Sequence, residues 1–520
     1  MWKTVWLVSL SVWLVTAGSV VDLPAAWAVT LNLPSKSEVL AVMHKVADYA
    51  QSQYPANVKA YWDDGVYHIG MMALYNVSHD DNALAYTETF GAYNHWKLAR
   101  DGSGNKHNRL AAGQSWIEAY QVSPEVANIN DTRAEIAAQT SASLADVTHD
   151  PTFSPPLDSY FAVDSQFMAL PAFAKLGKLD NNNSYFERMY ELFHYTKTTL
   201  GLYDTTAHLY YRDEKYIYPA KRSPHGDKVF WSRGNGWALG ALVRMLQELP
   251  TTDAHREEYV TTFQDMSAAL KDVQRADGFW DVSLYDPDHY GGPETSGTAL
   301  FVYGMAWGIK NGLLDATTYK PVVARAWNAL VSTAVQSSGK LGYVQGVGKE
   351  PESSQPVTAA SSADFGVGAF LLAGSAVWQL AVDSTQYEVE NLTTTISAGD
   401  SQQDISQTLA SGGRYNQGKL NAVNDYIEYA VSLPAPGTYH VRIRFGKNTD
   451  MGQWQFYTAG INVGAPQDAY SSMFTFAEVD IGCVTYKTPG KKVFRFTVTG
   501  KNGASSGYRT AIDYVLLTRQ

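Results

Sequence analysis

Trp237-Ala238-Leu239-Gly240-Ala241-Leu242-Val243-Arg244-Met245-Leu246-Gln247-Glu248-Leu249 sets leucines at 239, 242, 246 and 249 and stops at Pro250. Side chains at that spacing share one face of a 3.6-residue helix, and proline cannot continue it. The same period runs outward from there, over about residues 35 to 382. Ser35-Lys36-Ser37-Glu38 is a capping box ahead of Val39, Leu40, Met43, Val46, Ala47 and Ala50. Further amphipathic runs occupy 81–98, 111–120, 166–176, 184–200, 257–273, 297–311, 319–335 and 365–380. They recur in hairpin-sized units of roughly fifty residues, which predicts a closed ring of helix pairs or a solenoid. The ring is preferred, because it gathers the functional loops at one end.

After about residue 386 the period becomes two. Tyr439, Val441, Ile443 and Phe445 alternate with polar residues, Phe494, Phe496 and Val498 repeat the pattern, and Ile512, Tyr514 and Leu516 close the chain. Turn formers such as Pro434-Ala435-Pro436-Gly437 separate these runs, so this part reads as a β-sandwich. The junction Ala381-Val382-Asp383-Ser384-Thr385 is short and free of proline, which predicts that the two modules pack together. The expected division is a signal segment over 1–28, a helical module over 29–383 and a sandwich over 384–520.

The chain has 520 residues, 13% of them aromatic and 18% charged, which describes a folded protein with at least one large core. A net charge of -11 argues against a nucleic-acid partner, which calls for a basic patch. Lys3, the apolar run from Val5 to Val15 and Ala26-Trp27-Ala28 read as a cleavable secretory signal without a stable membrane anchor. Export, to the medium or a periplasm, is the expectation. Cys483 is the one cysteine, so neither an intrachain disulfide nor a cysteine metal cluster can form.

Two stretches carry chemistry. Phe161-Ala162-Val163-Asp164-Ser165-Gln166-Phe167-Met168 holds one carboxylate in an apolar run. Desolvation there keeps a carboxyl protonated, as a general acid requires, but an aspartate at a helix start is equally a common N-cap. Trp231-Ser232-Arg233-Gly234-Asn235-Gly236-Trp237 sets a guanidinium between two indoles, which suits a carboxylate-bearing sugar. Its glycines predict a loop whose backbone approaches a ligand, with a tight turn as the bland alternative. Gly234-x-Gly236-x-x-x-Gly240 imitates a dinucleotide fingerprint but has the wrong spacing and no βαβ flanks. The loop-like Asp64-Gly65-Val66-Tyr67-His68 offers Tyr67 as a pocket residue. Asp286-Pro287-Asp288-His289-Tyr290 reads as a solvated loop ahead of a helix capped by Thr295 or Ser296.

As a set, Asp164 to Met168, Trp231 to Trp237, Glu294-Thr295-Ser296-Gly297 and Phe365 to Ala373 resemble the unsaturated glycuronyl hydrolases of glycoside hydrolase family 105, with family 88 as its nearest relative. The resemblance covers roughly residues 36 to 382. It implies an (α/α)6 barrel that removes a 4,5-unsaturated uronic acid from lyase-generated acidic oligosaccharides by hydrating the C4=C5 bond. It makes Asp164 the proton donor and places Arg233, Trp231, Trp237 and Asn235 around the uronate. Two positions depart from the family pattern. Asn108 stands where a second aspartate is usual, so it holds water or substrate but cannot take a proton. Arg212 replaces a histidine after Leu209-Tyr210-Tyr211, and is expected to meet an anionic group. No organic cofactor or catalytic metal is implied, and a monomer or small homo-oligomer is expected. The second module resembles galactose-binding-like sandwiches, whose structural calcium makes Glu388, Glu390 and Asp513 candidate ligands. Trp454, Phe456 and Tyr457 read as a sugar platform or as core. Alternatives are a lyase or other hydrolase on the same barrel, and a non-catalytic acidic-glycan binder.

Overall fold

Ser35 opens the first helix as its spacing predicts, its amide donating to the Glu38 carboxylate at 2.8 Å. The computed structural model describes residues 33–100, 106–150 and 157–519; the expected signal segment lies outside the described residues. From Ser35 onward, outer and inner helices alternate. The outer set is α1 (Lys36–Gln53), α3 (Asp81–Tyr93), α5 (Asn130–Ser141), α8 (Asn183–His194), α10 (Arg256–Asp272) and α12 (Ala316–Ala329). The inner set is α2 (Trp62–Ser78), α4 (Leu110–Val122), α7 (Asp164–Leu179), α9 (Ser232–Leu246), α11 (Thr295–Lys310) and α13 (Asp364–Leu380). A single turn, α6 (Leu144–Thr148), and two short ribbons, β1 (His149–Asp150) with β2 (Leu157–Asp158) and β3 (Tyr203–Asp204) with β4 (Leu209–Tyr210), fill connections. Each inner helix packs on the next, and α13 returns to α2. The ring is closed, so a solenoid is ruled out.

The inner helices are buried on nearly every side, which hides them from a search for amphipathic stripes. Asp64 to His68 is accordingly not a loop but the opening turns of α2. Gly65 serves contact there: a Cβ would sit 2.6 Å from the Ala112 amide nitrogen of α4. In the same way α9 begins at Ser232, five residues before the leucine pattern suggests, and Gly236 lets it approach α11, where a Cβ would meet Leu300 at 2.9 Å. The glycines of this stretch therefore serve helix packing and not a ligand-hugging loop. At the far end of the barrel Lys175 pairs with Glu118 at 2.9 Å and Glu248 at 3.1 Å, and Arg244 reaches Glu118 at 2.8 Å. These mutually satisfied charges line a cavity of ≈ 320 Å³ away from the chemistry described below.

The second module begins at β5 (Asp383–Glu388), which lies against α1. One sheet orders β13 (Thr475–Tyr486), β10 (Gly437–Lys447), β15 (Thr510–Arg519), β8 (Arg414–Lys419) and β7 (Ser401–Ser406), with β5 also pairing β15. The other orders β12 (Ile461–Asp468), β11 (Gln453–Thr458), β14 (Gly490–Gly500), β9 (Tyr426–Leu433) and β6 (Thr394–Ile396). Tyr439, Val441, Ile443 and Phe445 face inward, as the alternation predicts. The last strand departs from it. Its register against β10 shifts between Arg444 and Phe445, so Val515 and Leu517 enter the core while Tyr514 and Leu516 turn outward. Trp454 and Phe456 are fully buried core residues, which removes them from any sugar platform; Tyr457 alone faces out.

The proposed calcium ligands do converge, around Ser411. Both oxygens of the Asp513 carboxylate accept the Ser411 amide, at 3.1 and 3.2 Å, and the Glu388 carboxylate accepts the Ser411 hydroxyl at 2.7 Å. However, the cation facing buried Asp513 is the Arg444 guanidinium, and no group of three or more acidic, histidine or cysteine side chains among the described residues is arranged to hold a metal ion. Arg444 thus supplies a positive charge beside Asp513, while one oxygen each of Glu388 and Glu390 is buried without a hydrogen-bond partner.

Candidate active site

Asp164 is the first residue of α7, yet it caps nothing: Val163 holds the N-cap position and no side chain closes that end. A bridge between Ala162 and Asp213, and a 2.9 Å bond from the Val163 amide to the Arg212 carbonyl, tie the approach to α7 to the segment after β4. That tie sets the Arg212 guanidinium Nε 3.4 Å from Asp164 Oδ2, which accepts no hydrogen bond from the protein. Arg212 is itself fixed by Asp213 at 2.6 Å and by the Phe161 ring at 5.2 Å. The apolar surround expected for Asp164 is therefore half present. Ala162 and Met168 supply it on one side, and a cation takes the other.

Asp164, Asn108, Arg212, Arg233, Trp231 and Trp237 line one cavity of ≈ 500 Å³ at the end of the barrel where the inner helices start. His107 joins them, its Nδ1 accepting the Tyr160 amide at 3.1 Å. Burial, with the Arg212 and Arg109 charges, pushes His107 down to about 3, so a neutral ring orients the Asn108 turn. Trp62 completes the wall, edge-on to Trp237 at 6.5 Å.

Arg233 touches the cavity, but its donors are largely committed. It donates to the Gln345 carbonyl, to the Gly346 carbonyl at 2.8 Å and to the Ser296 hydroxyl at 3.3 Å. It also stacks on Trp231 at 4.6 Å and Phe365 at 4.9 Å. Burial lowers it to about 10, with Glu294 and Asp164 pulling the other way. Asn235 lies behind the wall, its amide consumed by the Tyr210 backbone at 2.8 and 3.0 Å and the Trp231 carbonyl at 3.1 Å. Tyr67 is buried among Tyr54, Tyr86 and His68 and does not line the cavity. Neither lines the cavity. The cap of α11 is Glu294, not Thr295 or Ser296; its fully buried carboxylate accepts the Ser296, Gly297 and Gln345 amides.

Sequence reasoning missed Trp62 and the 345–354 strap. The strap, Gln345-Gly346-Val347-Gly348-Lys349-Glu350-Pro351-Glu352-Ser353-Ser354, looks like any solvated loop. Only the buried Gln345 and Arg233 reveal that it folds over the cavity.

The model of glycosyl hydrolase family 88 matches residues 35–381. This chain belongs to glycosyl hydrolase family 88. It is a glycosidase, and the matched span is the closed helical ring. An unsaturated 3S-rhamnoglycuronyl hydrolase of Formosa agariphila is 31% identical over 351 residues, 66% of this chain and 91% of that protein. A solved family 88 hydrolase of Bacteroides vulgatus is 36% identical, with a TM-score of 0.60 over 66% of this chain and 99% of its own. A solved polysaccharide lyase, 34% identical, superposes with a TM-score of 0.61 over 66% of this chain and 98% of its own. Each of the three covers about two thirds of this chain.

A second acidic feature sits behind the Trp62–Phe365 contact. Asp64 of α2 and Asp364 of α13 share a hydrogen bond; burial and then Asp364 and Asp63 push Asp64 up to about 8, and burial and then Asp63 push Asp364 up to about 6. Both folded values exceed the ordinary carboxylate value, so the folded state holds more protons than the unfolded chain. The stabilisation is complete below about pH 4 and fades as pH rises through 6 and 8. Asp64→Asn is therefore expected to raise the Tm at pH 8 relative to the natural chain and leave it nearly unchanged at pH 4. Thermal melts across that range check this, and parallel curves for the two chains would contradict it.

Proposed function

We propose that this family 88 glycosidase removes a 4,5-unsaturated uronic acid from the non-reducing end of an acidic oligosaccharide, in the manner of family 105. The observation that carries the reading is Asp164: a helix-start carboxyl that caps nothing, with an oxygen that accepts no protein hydrogen bond, aimed into a cavity that also holds a cation and two indoles. The name of the Formosa agariphila relative supports the substrate class.

Asp164 delivers its proton to C4 of the vinyl ether, and the C4=C5 electron pair forms the new C–H bond. Positive charge then develops at C5, shared with the ring oxygen. Water adds at C5 and gives up a proton, which Asp164 or solvent takes. The resulting hemiketal opens, C1 becomes a hemiacetal, and its collapse releases the leaving sugar. Asn108, held beside neutral His107, can orient the water or a hydroxyl by its amide but moves no proton. Arg212, beside Asp164, meets the uronate carboxylate and so sets the ring against the donor. The other carboxylate on the cavity, Glu350, is paired with Lys221 at 3.1 Å. One working acid suits protonation of a double bond, whereas direct displacement at C1 calls for two. The N-terminal apolar segment supports export, and outward-facing Tyr457 supports an accessory glycan contact on the sandwich.

The polysaccharide-lyase relative motivates a second reading, elimination. The two give opposite signals in the ultraviolet absorbance of the conjugated uronate. Incubation with lyase-generated oligosaccharides is expected to abolish that absorbance and release a keto-uronic acid detectable by mass. A rise in absorbance on intact polymer would establish elimination instead.

A further inference from the structure

A groove of ≈ 770 Å³ lies on the sandwich, along the outer face of the β12-β11-β14-β9-β6 sheet, and is larger than the cavity that holds Asp164. Phe494, Phe496 and Val498 of β14 enter the core, so the alternation turns Lys491, Val493, Arg495 and Thr497 outward. The strand register sets Tyr457 of β11, Arg495 of β14 and Glu428 of β9 in one row across the sheet. Two residues along, Tyr426 pairs with Thr497 and carries the Arg495 guanidinium over its ring at 4.0 Å. The two-residue turn Ala459-Gly460, with φ of 51° and 79°, and Asn424 complete the lining.

A solvated sheet face accounts for polar side chains at these positions, but not for what this one leaves open. Val493, on a central strand, is 50% exposed, and Tyr457 faces out with a hydroxyl that makes no hydrogen bond among the described residues. The charges are also unbalanced. Lys491, Lys492 and Arg495 line the groove against one carboxylate, Glu428, in a chain whose net charge is -11. Arg495 gives Nε at 2.6 Å and Nη2 at 2.5 Å to a single Glu428 oxygen, and its side chain stays 42% exposed. Lys492 is held by the Thr488 hydroxyl at 3.0 Å and the Pro489 carbonyl at 3.3 Å, whereas the Lys491 ammonium has no partner among the described residues. On the other sheet the outward cations are matched, His440 by Asp480 at 2.7 Å, Arg442 by Glu478 and Arg444 by Asp513.

A phenol beside an exposed valine offers a flat face to a sugar ring, and the spare cations call for an anion. We infer that this groove is a second glycan site, which holds an internal stretch of an intact acidic polysaccharide. Tyr457 is the platform for a sugar ring, and Arg495 and Lys491 take its carboxylate or sulfate groups. This assignment rests on the reading of the substrate as an acidic glycan, but it needs no unsaturated end. The cavity of the ring takes a terminus, whereas a groove along a sheet takes the middle of a chain. Held there, the enzyme stays beside the polymer from which lyases release its substrate, which raises the local substrate concentration.

The test uses the full chain carrying Asp164→Asn, run in native gels that contain an intact polymer. Dextran, dextran sulfate and polygalacturonate present no anion, sulfate and carboxylate in turn, and none of them offers the ring an unsaturated end. At least one anionic polymer is expected to retard the chain while dextran does not, and the one that does so shows which anion is read. Tyr457→Ala should weaken the apparent Kd about tenfold, the worth of one aromatic contact. Lys491→Met should weaken it about fivefold, the factor of one exposed charge pair. Both side chains face outward, so the Tm should hold. No retardation by either anionic polymer, equal retardation by dextran, or variants retarded like their parent would overturn the inference. So would dimerisation with rising protein concentration that Tyr457→Ala abolishes, which would give the face to a second copy of the chain. Retardation lost with Tyr457→Ala upholds the groove even if the natural chain hydrates no unsaturated disaccharide. Absent retardation rejects it even if hydration holds.

Discussion

Asp164→Asn is expected to lower kcat on an unsaturated uronyl disaccharide by about a thousandfold, within the range for loss of a positioned general acid. Asparagine has the same shape and fits the turn after Val163, where no capping bond is lost. It carries no acidic proton, so C4 receives none. The amide oxygen can keep the 3.4 Å contact with Arg212, so binding is disturbed far less than chemistry. KM should therefore stay within about twofold while kcat collapses, the signature of an interaction made in the transition state. Absorbance assays under single-turnover conditions read this directly. A variant retaining a tenth or more of the natural kcat would show that another group donates the proton.

Replacing Arg233 with methionine should act first on stability. Methionine keeps the stem volume but abandons two backbone carbonyls, at 345 and 346, and leaves the buried Glu294 without its cation. Removing one partner from such a buried arrangement costs about 3 kcal/mol. The strap then loses one of its two anchors, so KM should rise with the loss of Tm. Denaturant unfolding compared with disaccharide kinetics separates this from the role the sequence suggests for Arg233. A residue that chiefly binds uronate would cost activity and leave stability unchanged. Arg233→Lys should fall between, since an ammonium cannot span both carbonyls as the planar fork does.

Much was legible in the chain itself. The leucines at 239, 242, 246 and 249, the capping box at Ser35 and the alternation at Tyr439 to Phe445 report on which face of an element meets the core, and that is a local property. They sufficed for a helical ring followed by a sandwich, and the set of motifs around Asp164 and Trp231 pointed to family 105 with family 88 beside it, of which family 88 is the one the chain matches. Burial that is uniform around an element carries no period, which is why Asp64 to His68 reads as a loop and α9 as starting late. The bulge in β15 likewise leaves no mark in an alternation, and turns Tyr514 outward where Val515 goes in.

Composition and spacing determined the two architectures and singled out Asp164 as a candidate acid, because both depend on residues close in sequence. Which partners meet was decided by the closed ring alone. It brought Gln345 to Trp231 across 114 positions of chain and Arg212 to Asp164 across the bridge after β4. It also hid the Asn235 amide behind the wall and spent Arg233 on a strap. Hydrogen-bonding capacity is written in the side chain, but whether anything of it is left for a ligand depends on neighbours far away in the sequence.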